Sequence, residues 1–259
     1  MNGNAVKDDL LLTAAGVDGT TAGAFVTPDG RSLALFSDAS GQRLAVGAVG
    51  GAFAAPVTLA GTPGGADAAL GADGTLAVAW AADGTAHVGV VAPGTTSAAV
   101  TDLPGPNAAG ASVAVAVADD GAVTVAYRTK TGASSYALVT ATAPKGGGFP
   151  APATLSTGSG AIDAPDVAAG PNGALAVAFR RQAPWYRAHV AVRPAGAAAF
   201  EPAQKLTESG PSDITTRVVF LRDGGLVAAW SNPAGAGWAS RPAGAAAFGA
   251  PQALSAAGT

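Results

Sequence analysis

Alternating runs of large and small apolar residues recur along the chain, each behind an Asp-Gly or Asn-Gly pair. The phrases PDGRSLALF, ADGTLAVAW, DDGAVTVAY, PNGALAVAF and RDGGLVAAW end on Phe36, Trp80, Tyr127, Phe179 and Trp230. Asp or Asn stands seven residues before each aromatic, and successive aromatics are 44, 47, 52 and 51 residues apart. Strict alternation predicts a strand, with Leu76, Val78 and Trp80 on one face and Ala77 and Ala79 on the other. The Gly pair predicts a tight hairpin, because Gly and Asn accept positive φ. Upstream, runs such as SVAVAVA (112–118) and RVVFL (217–221) read as first strands, and AHVAV (188–192) as a third. The closing phrases FAAPVTLA, AVTDLP, FPAPATLS, FEPAQKLT and FGAPQALS supply a fourth; only the second lacks its Phe.

Four antiparallel strands per repeat and no helical periodicity describe an all-β chain, a β-propeller of about five four-stranded blades. A two-sheet sandwich or an open β-solenoid is the alternative, but a sandwich requires no such period. Bulky residues of one sheet can nest against alanines of the next. We read residues 1–259 as one domain, with repeats near 20–60, 64–104, 110–156, 161–207 and 212–255. The segment DDLLLTAAG (8–16) resembles a fourth-strand ending with no blade before it. We expect it to latch the ring as an outer strand; the alternative is a fragment of a six- to eight-bladed propeller. On these phrases the chain resembles bacterial β-propeller repeat proteins, sialidase-like in the loose sense, over residues 20–255. The Ser-x-Asp-x-Gly-x-x-Trp box, a Gly-His…Trp-Asp pair and an arginine triad are absent. The resemblance implies ligands on the face that carries the second-to-third-strand loops and the connections between blades.

Composition narrows the partners. The chain is 49% hydrophobic and 12% charged, with a net charge of −3 and no Lys/Arg run, which argues against nucleic acid and anionic membranes. No window approaches a membrane span. Zero cysteines exclude disulfides and thiolate metal sites. The N-terminal MNGNAVKDDLLLT has only a three-leucine run, short of a secretory signal. We expect an extracellular or cell-surface protein, with the cytoplasm as the alternative.

On the expected ligand face lie SDASGQ (37–42), RTKTGAS (128–134), RRQAPWYR (180–187) and SNPAGAG (231–237). RRQAPWYR reads as a longer loop and gathers three of the ten arginines, Arg180, Arg181 and Arg187, beside Trp185 and Tyr186. Such a cluster can stack a sugar ring or hold an anion; the bland reading is a loop whose Trp covers the blade edge. A second set comes from the first strands. Six residues before each turn Asp or Asn stand Gly23, Asp67, Ala114, Asp166 and Arg217, so Asp67, Asp166 and Arg217 are expected around the channel mouth, as a site or as an ion pair. The strand-end aromatics are expected in the core between blades, and the Asp-Gly pairs as turns, since no calcium loop exists. His87 and His189 match no metal spacing, and no cofactor motif appears. The only glutamates, Glu201 and Glu208, fall near a fourth strand, and no nucleophile elbow is present. We expect a non-catalytic module that binds a carbohydrate or a protein. The alternatives are a glycoside hydrolase or lyase of sialidase-like type, using Asp67 and Asp166, and a structural repeat module of a larger extracellular protein. The repeated word RPAGAAAF (193–200 and 241–248) falls in third-to-fourth hairpins, on the opposite face.

Overall fold

All five Gly turns form in the computed structural model, which describes residues 20–255 apart from 39–40, 60–62, 106–112, 159 and 209–210. Gly30, Gly74, Gly121, Gly173 and Gly224 have φ of 83°, 85°, 82°, 76° and 85°, a region that L side chains avoid. The expected latch at 8–16 lies outside the described residues, as do positions 39 and 40 of SDASGQ.

Each turn joins the first two strands of a four-stranded antiparallel meander. Blade 1 comprises β1 (Thr20–Val26), β2 (Ser32–Asp38), β3 (Gly41–Gly47) and β4 (Val57–Thr58). Blade 2 comprises β5 (Pro63–Leu70), β6 (Leu76–Ala82), β7 (Thr85–Val91) and β8 (Ala98–Leu103). Blade 3 comprises β9 (Val113–Val117), β10 (Val123–Lys130), β11 (Tyr136–Ala143) and β12 (Ala153–Gly158). Blade 4 comprises β13 (Ile162–Ala169), β14 (Leu175–Gln182), β15 (Tyr186–Arg193) and β16 (Gln204–Lys205), with one 3-10 turn at Pro171–Gly173. Blade 5 comprises β17 (Thr215–Phe220), β18 (Leu226–Asn232), β19 (Gly235–Arg241) and β20 (Gln252–Ser255). Strand order within every sheet follows the chain. First strands pack in succession, β1 on β5, β5 on β9, β9 on β13 and β13 on β17. Among the described residues no helix is long and apolar enough to cross a membrane.

The alternation of large and small residues explains how the blades stack. Leu76, Val78 and Trp80 pack on Leu33, Leu35 and Leu44 of blade 1. The opposite face of the same strand, Ala77, Ala79 and Ala81, receives Val123, Val125 and Tyr127 of blade 3. Ala114, Ala116 and Ala126 receive Val177 and Phe179. Ala176 and Ala178 in turn receive Leu226 and Trp230. Each aromatic is buried, and each such burial stabilises the fold by roughly 1.5–3 kcal/mol. Gly237 lets Trp230 in: a Cβ there would lie 2.8 Å from the indole. Burial pushes the Tyr127 hydroxyl up to about 12, and it donates to the Pro104 carbonyl at 2.8 Å.

The repeated word RPAGAAAF gives the same turn twice. Gly196 and Gly244 share φ 75°, and Ala197 and Ala245 each donate to the preceding Pro carbonyl at 3.0 Å. The second copy is then stapled to the segment that follows the first. Arg241 Nη1 meets Glu201 Oε2 at 2.7 Å, while Gln204 holds both backbone groups of Phe248, accepting at 2.8 Å and donating at 3.1 Å.

Candidate functional site

At the far end of blade 4 from those staples, β14 and β15 stay paired as far as Gln182 and Tyr186. The hairpin is therefore only Ala183, Pro184 and Trp185, and most of RRQAPWYR is strand where the sequence reads as a loop. The difference has a consequence, because a strand sends successive side chains to opposite faces. The three arginines are separated rather than gathered. Trp185 stands at the tip, 60% exposed. Arg181 turns toward blade 3, its Nε 3.1 Å from where a Cβ on Gly158 would sit. Arg187 is 8% exposed, and its Nη1 donates to the carbonyls of Tyr186 and Pro211 at 3.2 and 3.0 Å. Its role is to hold the connection into blade 5.

Arg180 turns toward blade 5 and is similarly engaged. Its Nη1 donates to the Ile214 carbonyl at 2.8 Å and the Asp213 carbonyl at 3.4 Å, and its Nη2 to Asp163 Oδ2 at 3.2 Å. The guanidinium lies 4.6 Å from the centre of the Tyr186 ring, within cation–π range. Beneath it, Asp213 is 1% exposed and accepts from the Ala188 N–H at 2.8 Å, from Asn232 Nδ2 at 3.2 Å and from the Thr207 hydroxyl.

Blade 3 repeats the pair. Arg128 follows Tyr127 as Arg180 follows Phe179, and Tyr136 opens β11 as Tyr186 opens β15. The Arg128 guanidinium lies 5.0 Å from the Tyr136 ring centre, and its Nη1 lies 3.8 Å from Asp163 Oδ1. Asp163 therefore faces an arginine from each blade. Arg128, Asp163 and Asp213 are the residues that the sequence reading passed over. Extending the repeat alignment by one position past the aromatic would have found Arg128; nothing in the spacing marks the two aspartates.

The first-strand residues have a different geometry. Asp67 Oδ2 accepts the N–H of Val115 in blade 3 at 2.8 Å, and Asp166 Oδ2 accepts the N–H of Val218 in blade 5 at 2.6 Å. Each carboxylate thus ties its own first strand to the next one. Burial raises both carboxyl groups above the ordinary aspartate range. Arg217 is largely exposed, with Nη1 3.9 Å from Asp166 Oδ1 and donating to the Thr216 carbonyl at 3.2 Å. The histidines are packed. His87 stacks on Trp80 with centroids 5.2 Å apart and His189 on Phe179 at 5.4 Å. Burial lowers the His189 pKa. No group of His, Cys, Asp and Glu side chains fit to hold a metal occurs among the described residues.

Clefts open at the other end of the blades. One of about 690 Å³ lies between the third-to-fourth hairpins of blades 4 and 5, beside Phe220, Glu201 and Arg241. Another of about 450 Å³ lies between blades 3 and 4, beside Leu155 and Phe200.

No family model matches this chain, and no curated protein matches it significantly in sequence. Solved structures do match. AofleA from Arthrobotrys oligospora is 12% identical with a TM-score of 0.56, covering 93% of this chain and 75% of that one. The Aleuria aurantia lectin, described as a six-bladed β-propeller with a fucose recognition mode, is 11% identical with a TM-score of 0.54, covering 90% and 77%. An α-L-arabinanase of Penicillium chrysogenum, solved with arabinobiose, is 14% identical with a TM-score of 0.53, covering 87% and 78%. At such identities the likeness establishes the fold, a β-propeller or part of one.

Proposed function

We propose that this propeller is a carbohydrate-binding module whose contact surface is the Trp185 hairpin of blade 4. The observation that carries the reading is the exposed Trp185 at the tip of a three-residue turn, pinned on both sides by paired strand. An indole fixed by its backbone can stack on a sugar ring at little entropic cost. Arg181, on the blade 3 side of β14, has no hydrogen bond among the described residues, while Arg180 and Arg187 tie β14 and β15 to the connection into blade 5. The fold is one that serves sugar-binding proteins and sugar-cleaving enzymes alike. Replacing Trp185 and Arg181 by Ala should abolish binding on a glycan array while leaving the melting temperature nearly unchanged. Retained binding would remove the hairpin from the account.

A second reading, a glycoside hydrolase or lyase of sialidase-like type, draws on the raised pKa of Asp67 and Asp166, since an acid catalyst needs a carboxyl that stays protonated. Against it, one oxygen of each carboxylate is already bound to a neighbouring strand. Turnover of a chromogenic glycoside panel, lost in Asp67→Asn or Asp166→Asn, would favour the enzyme.

A further inference from the structure

We infer that the seam between blades 3 and 4 holds a subsite for an anionic group, so that the bound saccharide carries a carboxylate or a sulfate. The inference rests on the carbohydrate reading above and specifies its ligand class. Its centre is Arg128. This side chain is only 12% exposed, yet its guanidinium donates no hydrogen bond among the described residues; the nearest carboxylate oxygen, Asp163 Oδ1, is 3.8 Å away. Its Nε is fully enclosed and without an acceptor, as is that of Arg180, so the two arginines differ at their Nη atoms. A guanidinium withdrawn from water in this way normally finds acceptors, because unmet charged donors are costly. At the same repeat position the Nη atoms of Arg180, unlike those of Arg128, are met by two backbone carbonyls and a carboxylate.

The surroundings favour an anion over a neutral hydroxyl. Asp163 carries one negative charge and is shared with Arg180. Arg181, on the blade 3 side of its strand, brings a second guanidinium without a hydrogen-bond acceptor to the same seam. Lys130, two residues beyond Arg128, is exposed. The chain as a whole carries −3, so this concentration of cations runs against the average of the molecule. A planar guanidinium edge suits the two oxygens of a carboxylate or sulfate, and the guanidinium lies over the Tyr136 ring, 5.0 Å from its centre.

The test is an array of neutral, uronate-bearing, sialylated and sulfated oligosaccharides probed with wild type, Arg128→Met and Arg128→Lys. Melting curves of each variant establish that it is folded. We expect binding confined to the acidic members, weakened by added salt, and reduced about tenfold or more in Arg128→Met, with partial retention in Arg128→Lys. The carboxylate and sulfate arms identify the source of the charge. Equal binding of neutral and acidic members, abolished by Trp185→Ala, would overturn the anion subsite and leave the carbohydrate reading standing. Binding of no glycan at any salt concentration would overturn both.

Discussion

The seam between blades 4 and 5 and the seam between blades 3 and 4 start from the same residues and end differently. In each, an arginine follows the strand-end aromatic and lies over a tyrosine that opens the third strand. On the blade 5 side, Arg180 meets the carbonyls of Asp213 and Ile214, and the buried Asp213 beneath gathers three donors. On the blade 4 side, Arg128 finds a single carboxylate at 3.8 Å. One seam is closed by its own hydrogen bonds, and the other is left with donors to offer. A residue's place in the repeat thus fixes where its side chain points, while the connection entering the next blade decides whether it is structural or free to bind.

The comparison can be tested from both sides. Asp213→Ala should have the largest effect, lowering stability in denaturant titration by about 3 kcal/mol, because three buried donors lose their acceptor together. Arg180→Ala should follow at about 2 kcal/mol, since its charge-assisted bonds to two carbonyls and Asp163 vanish. Arg128→Met should change stability by less than about 0.5 kcal/mol or raise it, because an ill-paired charge gives way to an apolar chain of similar length. Equal losses at the two arginines would show that the seams do not differ. Asp166→Ala, which frees the Val218 N–H, should cost about 1–2 kcal/mol, and Asp166→Asn much less because an acceptor remains.

Asp67 and Asp166 carry a pH signature. Their folded pKa values lie above the unfolded ones, so the native state binds protons more tightly. Their contribution is therefore fully present below the unfolded value and is lost as pH rises through the raised folded values. Asp67→Asn with Asp166→Asn should flatten the difference in stability between mildly acidic and neutral pH relative to wild type. A steeper profile would contradict the burial assigned to them. Trp185→Ala should shift stability least, within about 0.5 kcal/mol.

Much of the fold was legible because period and alternation are properties of the chain itself. Trp80 and Ala79 face opposite neighbours as their spacing requires, and the turn glycines take the φ that Asp-Gly pairs suggest. The site was legible only in part. Trp185 stands out by composition, but the division of Arg180, Arg181 and Arg187 between two faces depends on how far β14 and β15 stay paired. Asp67 and Asp166 read as channel-mouth charges, in a site or an ion pair with Arg217; their bonds to Val115 and Val218 cross between blades, and no local pattern encodes such a distance. The repeat alignment can reach Arg128, but the distance of its nearest carboxylate depends on how blade 4 is placed.

The most direct measurement is a crystal structure of the protein soaked with the acidic oligosaccharide that binds most strongly. The account predicts a carboxylate or sulfate within hydrogen-bonding distance of the Arg128 Nη atoms and a sugar ring against Trp185. Ligand density at Arg217 on β17, or in the cleft beside Glu201 and Arg241, with the blade 3–4 seam empty, would contradict it.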